Sequence, residues 1–182
     1  IFFKKGGAYL ALGDILDRIN EIPNNSLDLI VSSPPYNLGK EYENKVDTDE
    51  YLKLYSKLIP IFYKKLKLSG SLCWEVGYSN ILGNSPKESE FVPLDYLFYP
   101  IFKKSDFIMK NRIIWSYGHG INSKNNFSYR HESIMWFVKS SNYKFNLDNV
   151  RVNPKYPGKS GYKKHIKNKY KKVTSTKGGK NP

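Results

Sequence analysis

Ser33-Pro34-Pro35-Tyr36 follows directly on the apolar run Leu27 to Val31 and is the chemically most unusual segment of the sequence. Neither proline offers an N–H, each holds φ at about −65°, and Pro34 forces Ser33 out of the helical region, so the backbone there is stiff and extended. Its main-chain oxygens have no N–H partners within the segment and are open to a group rich in donors. Ser33 adds a hydroxyl acceptor, and Tyr36 adds a flat ring on which a planar ligand can stack.

A planar ring bearing two N–H donors is what the exocyclic amine of cytosine or adenine presents. That amine is a poor nucleophile because its lone pair is delocalised into the ring. With the Ser33 hydroxyl and the Pro34 carbonyl each accepting one N–H, the nitrogen is drawn toward tetrahedral geometry and its lone pair can attack an electrophilic methyl in line. Acceptors aimed where positive charge develops stabilise that transition state. The amine is reached only by extruding the base from a duplex, and stacking on Tyr36 offsets part of that unstacking cost. As four residues alone the segment also reads as a plain turn, since Pro-Pro marks loops. A proline-rich ligand for a small recognition domain is a poorer reading, because no PxxP spacing surrounds it.

These residues need a scaffold. Ala8 to Leu12 reads as a buried strand ending in the Gly13-Asp14 turn. A helix follows, capped by Asp14, with Ile15, Leu16, Ile19 and Ile22 on one face, until Pro23-Asn24-Asn25 stops it. Leu27 to Val31 is near-continuous, as in a strand covered on both faces. Asp47 or Thr48 opens a long helix in which Tyr51, Tyr55, Leu58, Phe62 and Leu66 recur at helical spacing, with Pro60 as a kink and Ser69-Gly70 as its end. Ser71 to Val76 is a third strand, and Val92 to Lys104 a shorter helix with Pro93 in its first turn and Pro100 as a second irregularity. Phe107 to Tyr117 and Ser133 to Val138 are β-rich, with a polar loop containing Gly118-His119-Gly120 between them. The order predicts an α/β fold with a mostly parallel sheet and a terminal antiparallel β-hairpin. There is no internal repeat. Ligands bind beyond the carboxyl ends of such strands, so the loops after Leu12, Ser32, Val76 and Tyr117 are expected to share one face.

The 182 residues are 40% hydrophobic, enough for one core and a small appendage, which excludes a disordered chain. No apolar run approaches the roughly 18 residues of a membrane span. The opening Ile1-Phe2-Phe3-Lys4-Lys5 lacks the order of a signal peptide, and a single cysteine excludes an internal disulfide framework, so the expected compartment is cytoplasmic. Cys73 sits between Leu72 and Trp74 and reads as a core residue, against the reactive loop cysteine that methylation at cytosine C5 requires. His119, His131 and His165 are scattered with no second cysteine, so no metal site and no zinc-dependent deamination are expected. His119 reads as a surface histidine. Arg130 and Glu132 read as an ion pair, beside the site or in the scaffold, and Trp115 and Tyr117 as core or rim.

The net charge is +14, but residues 1–150 hold 19 basic and 16 acidic residues whereas 151–182 hold 11 basic and none acidic. The chain therefore divides into a body, 1–150, and a basic tail, 151–182, in which Lys155, Lys159, Lys163, Lys164 and Lys167 are interleaved with Tyr156, Tyr162 and Tyr170. That mixture suits phosphate contacts with some base stacking, and equally a solvated linker.

The segment Ile22-Pro23-Asn24-Asn25-Ser26-Leu27-Asp28-Leu29-Ile30-Val31-Ser32-Ser33-Pro34-Pro35-Tyr36-Asn37, preceded by Gly13-Asp14, resembles the lead-in to the catalytic motif of the amino-group DNA methyltransferases. These enzymes methylate cytosine N4 or adenine N6. Lys67-Leu68-Ser69-Gly70-Ser71-Leu72 is similar to the start of that family's next strand, and Arg112 to Trp115 with Arg130 to Val138 to its closing hairpin. The resemblance implies a Rossmann-like methyltransferase sheet, S-adenosylmethionine as cofactor, double-stranded DNA as substrate and Ser33, Pro34, Pro35 and Tyr36 as the catalytic loop. Asp14 matches a family acid at the adenine end of the cofactor, beside its reading as a helix cap. Serine at position 33 is commoner among cytosine-N4 enzymes, which favours that amine over adenine N6. The resemblance also implies a restriction system, with a restriction endonuclease encoded alongside but no stable complex. The family's Phe-x-Gly-x-Gly cofactor turn does not occur in the sequence. With Ile1 where a start Met would stand, the chain is expected to be the catalytic half of a longer protein, incomplete at its C-terminus, with the tail opening a recognition segment. A non-catalytic nucleic-acid-binding fragment is the alternative from another class.

Deleting residues 151–182 is expected to flatten the salt dependence of DNA retention, measured as the slope of log affinity against log salt concentration. An unchanged slope would make the tail an inert linker.

Overall fold

The structure is a computed structural model and describes residues 3–81, 88, 90–118, 124, 126–152, 164–166 and 169–171. The chain divides into two units, Ile1–Tyr143 and Lys144–Pro182. In the first, Phe3–Lys5 (β1) and Ala8–Leu10 (β2) pair antiparallel across Gly6 and Gly7, which take the positive φ values a tight hairpin turn needs. This corrects the expectation of a buried first strand over Ala8 to Leu12. Among the described strands β2 pairs with β1, outside the main sheet, and Leu10 and Leu12 are exposed.

Ile15–Arg18 (α1) is one helical turn continued as a 3-10 turn over Ile19–Glu21, and Ile19 points into the core. Leu27–Ser32 (β3) leads to the proline corner. Thr48–Lys65 (α2) is capped by Asp47, whose carboxylate accepts from the Asp49 and Glu50 amides at 2.8 and 3.1 Å. The helix buries Tyr51, Tyr55, Leu58, Ile59 and Phe62 and runs through Pro60 without a break.

Leu66–Val76 (β4) begins at once, five residues before the expected Ser71. Its pairing explains the shift. Leu27 lies opposite Leu66 but Leu29 opposite Ser71, so residues 67–70 form a bulge that lets the chain turn from helix to strand with no separate loop. Gly70 sits in that bulge, where a Cβ would stand 3.0 Å from the Leu27 carbonyl oxygen and 3.1 Å from that of Lys67.

Tyr78–Ile81 (β5) and Glu90–Pro93 (β6) form a small antiparallel pair, followed by Leu94–Lys104 (α3), Ile108–Ser116 (β7) and His131–Val138 (β8). The main sheet has the order β3-β4-β8-β7. Its parallel part is the β3–β4 pair joined through α2, and β4–β8 and β8–β7 are antiparallel, so the α/β class and the terminal hairpin agree with the sequence reading. In the second unit, Lys164–Ile166 (β9) pairs antiparallel with Lys169–Lys171 (β10), and Arg151 bridges to Asp148. No helix among the described residues is long and apolar enough to cross a membrane.

One face of the main sheet carries Leu72, Trp74, Val76, Met135 and Phe137, all fully covered by α2 and α3. Trp74 meets Tyr55, Phe98 and Phe102 edge-on at 5.4–5.7 Å, and Phe102 stacks on Phe137 at 4.2 Å. The opposite face is open among the described residues. There Leu29 is 55% and Val31 68% exposed, so the expected cover on both faces of β3 holds for one only. The helices α2 and α3 both pack on the Trp74 side, and among the described strands β3 lies at the sheet edge. Cys73 points to the open face and is half-buried there, its thiol pushed up by burial, rather than in the core as expected.

Gly70→Ala is expected to lower stability by about 1–3 kcal/mol, the usual cost of forcing atoms into a packed site. Urea unfolding of the two forms measures it.

Candidate active site

Parallel pairing brings the carboxyl ends of β3 and β4 together, and β7 runs parallel to β4 because both are antiparallel to β8. Ser33, Gly77 and Tyr117 therefore leave the sheet at one end, as expected. The loop after Leu12 follows the separate hairpin and is not a strand end of this sheet.

At the corner Ser33 and Pro35 are exposed, Pro34 is buried and Tyr36 is half-buried. The Ser33 Oγ lies 3.3 Å from the Tyr36 hydroxyl. From the first turns of α2, the buried Tyr51 donates its hydroxyl to the Pro35 carbonyl at 2.7 Å. The Tyr36 ring lies over Gly77, where a Cβ would stand 3.0 Å from its Cε2. Any side chain at position 77 would displace the ring.

Asn37 holds the corner from the other side. It takes φ 59°, a conformation asparagine tolerates, and its amide pairs with the Val46 main chain in both directions, at 2.8 and 2.9 Å. The Glu43 carboxylate accepts from the Asn37 and Leu38 amides at 2.9 and 2.8 Å, and Ser79 donates its hydroxyl to the Asn37 carbonyl. The loop is organised before any ligand arrives.

Two carboxyls border the Tyr36 ring. Glu75 lies opposite Ile134, which puts Glu132 diagonally across on the same face. Burial first, and then Glu75, push the Glu132 carboxyl above the usual range. The Tyr36 hydroxyl is pushed up to about 12 by burial, helped by Glu132 and Glu75 and opposed by its bond to Ser33, so it stays a neutral donor near pH 7. Next to it, Tyr78, Phe91, Tyr129 and His131 form a ring cluster with Tyr78 and Tyr129 at 4.4 Å. Burial, with Asp95 and other neighbours, pushes the Tyr129 hydroxyl up to about 12.

The remaining expected residues fall as follows. One Asp14 carboxylate oxygen accepts from the Leu16 amide at 2.7 Å, the geometry of a helix cap. Arg130 donates to the Gly118 carbonyl. Trp115 is exposed and Tyr117 half-buried, both at the rim. Lys155, Lys159, Lys163, Lys167, His119 and Gly120 lie outside the described residues, as do the side chains of Lys164 and His165. Among the described residues no group of three His, Cys, Asp or Glu side chains could hold a metal ion. A cavity of about 460 Å³ between the C-terminal halves of α2 and α3, lined by Ser56, Pro60, Tyr63 and Pro100 among others, shares no residue with the corner.

Sequence reasoning passed over Tyr51, Asn37, Glu43, Glu75 and Gly77. For Glu75 a signal was present, a charge inside the apolar run Leu72-Cys73-Trp74-Glu75-Val76. For Tyr51 none was, because its helical spacing marks it only as core.

The profile of the N6/N4 DNA methylase family matches residues 27–181, which include the corner, β4 and the closing hairpin. The chain belongs to this DNA methylase family. It is 42% identical over 152 residues to the Type II methyltransferase M.BglII of Bacillus subtilis, covering 83% of this chain and 41% of that protein. The chain spans half or less of the length of several curated relatives it matches. Among solved structures, the cytosine-N4-specific PvuII DNA methyltransferase superposes with a TM-score of 0.62 at 21% identity, over 76% of this chain and 51% of that one. A DNA modification methylase of Thermus thermophilus, solved with S-adenosyl-L-methionine, does so with a TM-score of 0.58 at 24% identity, over 76% and 56%. These two likenesses show that the methylase shares their fold.

Because the native state holds the Glu132 proton more tightly than the unfolded chain, this contribution to stability is complete below the ordinary carboxylate range. It is lost as pH rises through the raised native value. Glu132→Gln is therefore expected to raise the unfolding midpoint at pH 8 and to gain progressively less as pH falls toward 4, followed by thermal denaturation across that range. A gain that does not vary with pH would remove the carboxyl repulsion from the account.

Proposed function

We propose that this methylase chain is the catalytic part of a site-specific DNA methyltransferase. It transfers a methyl group from S-adenosylmethionine to cytosine N4 in double-stranded DNA, within a restriction-modification system. The observation that carries the reading is the corner itself. An exposed serine hydroxyl and a proline carbonyl sit beside a tyrosine ring, on the carboxyl end of a sheet strand, held rigid by Tyr51, Asn37 and Gly77.

The extruded base lies against Tyr36, and its amine donates one hydrogen to Ser33 Oγ and one to the Pro34 carbonyl. Among the described residues no donor occupies that carbonyl. The Ser33 contact with Tyr36 is long enough to yield to a better donor. Withdrawing both hydrogens from the ring plane localises the nitrogen lone pair, and both oxygens stabilise the positive charge that develops there. Glu75 and Glu132 lie at the edge of the stacking ring and reinforce a field favourable to that charge.

S-adenosylmethionine supplies the methyl group when bound. The described residues offer it the open edge of β3 beside the corner and Asp14, whose helix cap uses one carboxylate oxygen, while the Phe-x-Gly-x-Gly turn is not in the sequence. Serine at position 33 supports cytosine N4. Adenine N6 is the second reading, because its amine presents the same two hydrogens to the same acceptors.

In the intact protein, Ser33→Ala and Tyr36→Ala are each expected to lower labelled-methyl transfer to DNA by about 10²-fold or more, while retention on DNA survives. Digestion of the product to nucleosides identifies the amine. Undiminished transfer by Ser33→Ala would remove its role as acceptor.

A further inference from the structure

The corner holds more than two acceptor oxygens within a few bonds of one another, among them Ser33 Oγ and the carbonyls of Ser33, Pro34 and Pro35. An exocyclic amine brings only two hydrogens. A third open acceptor would give the amine alternative pairings, in some of which its hydrogens stay in the ring plane and the lone pair stays delocalised. Rate depends steeply on excluding such poses.

We propose that Tyr51 is a positioning residue that removes a competing acceptor: by donating its hydroxyl to the Pro35 carbonyl, it withdraws that oxygen from the amine and favours Ser33 Oγ and the Pro34 carbonyl as its partners. This rests on the reading of the corner as a methyl-transfer site and adds a residue that touches neither base nor cofactor. The geometry is specific. The Tyr51–Pro35 bond is 2.7 Å long, spans 16 residues of sequence, and comes from a ring fixed edge-on by Tyr55 and Phe98 at 5.0 and 5.8 Å. A carbonyl cannot donate, so the single Tyr51 hydrogen points at Pro35. Burial pushes the Tyr51 hydroxyl well above its ordinary range and keeps that hydrogen in place.

The same bond sets the plane of the Pro35–Tyr36 peptide. That plane aims the Tyr36 ring at Gly77, where there is room for no side chain. One hydroxyl thus withdraws the Pro35 carbonyl and fixes where the stacking surface lies. The prolines alone do not fix this, since Ser33 and Pro34 each precede a proline and are held extended, whereas the carbonyl of Pro35 is left free to rotate.

The test uses the intact protein and compares Tyr51→Phe with Phe62→Leu, a change in the same helix that loosens the core without approaching the corner. Methyl transfer, KM for DNA and unfolding midpoint are measured for each, with extrusion of a fluorescent base placed at the target position. Tyr51→Phe is expected to lower kcat by about 10- to 100-fold, with KM for DNA and base extrusion within twofold of wild type. Phe62→Leu, at an equal or greater loss of midpoint, is expected to lower kcat less than threefold. Equal kcat losses at matched midpoints, or a Tyr51→Phe loss that appears wholly in KM, would overturn the positioning role. If the wild-type protein methylates no base amine, the functional reading itself fails, a result distinct from an active wild type whose Tyr51→Phe variant matches it.

Discussion

The parallel pairing of β3 with β4 is the constraint on which the site depends. Strands about 4.8 Å apart and pointing the same way must release their chains side by side, so the corner after β3 and the glycine after β4 meet with no further design. Parallel neighbours also require a crossover, and here the crossover is α2. The helix that makes the pairing possible enters at the same end of the sheet, and its first turns present Tyr51 to the Pro35 carbonyl. Scaffold and anchor are therefore one element.

Packing of that element is aromatic. Tyr51 and Tyr55 from α2 and Phe98 from α3 interlock edge-to-face above Trp74, a geometry that fixes ring orientation more tightly than aliphatic contact does. The Trp74 indole N–H has no acceptor among the described residues, and ring faces around it are weak substitutes. That cost falls directly beneath the corner, where rigidity is most useful.

Much of this was legible in the sequence because it is local. The capping residues Asp14 and Asp47, the long amphipathic helix, and the prolines after an apolar run all follow from spacing and backbone chemistry. What was not legible is pairing. Ala8 to Leu12 and Leu27 to Val31 are both short apolar runs, yet one forms an exposed hairpin and the other an edge of the main sheet, and partners distant in sequence decide which. The start of β4 was missed for the same reason, since the bulge at Gly70 exists only against Leu27. The proposed catalytic loop stood out through its four residues together with the apolar run before them. Its supports, Tyr51, Asn37 and Gly77, did not, because each acts through a contact made by folding.

Glu43, bound to two loop amides, has a bearing on how a polyanion approaches. Together with Glu75 and Glu132 it surrounds the corner with acidic groups, and the described residues bring no lysine or arginine to the Ser33 or Tyr36 side chains. Such acidic surroundings repel a sugar-phosphate strand while tolerating an uncharged heterocycle. On the proposed function, a duplex keeps its backbone outside and reaches inward with a single nucleobase, so these carboxyls filter by charge before any hydrogen bond is made.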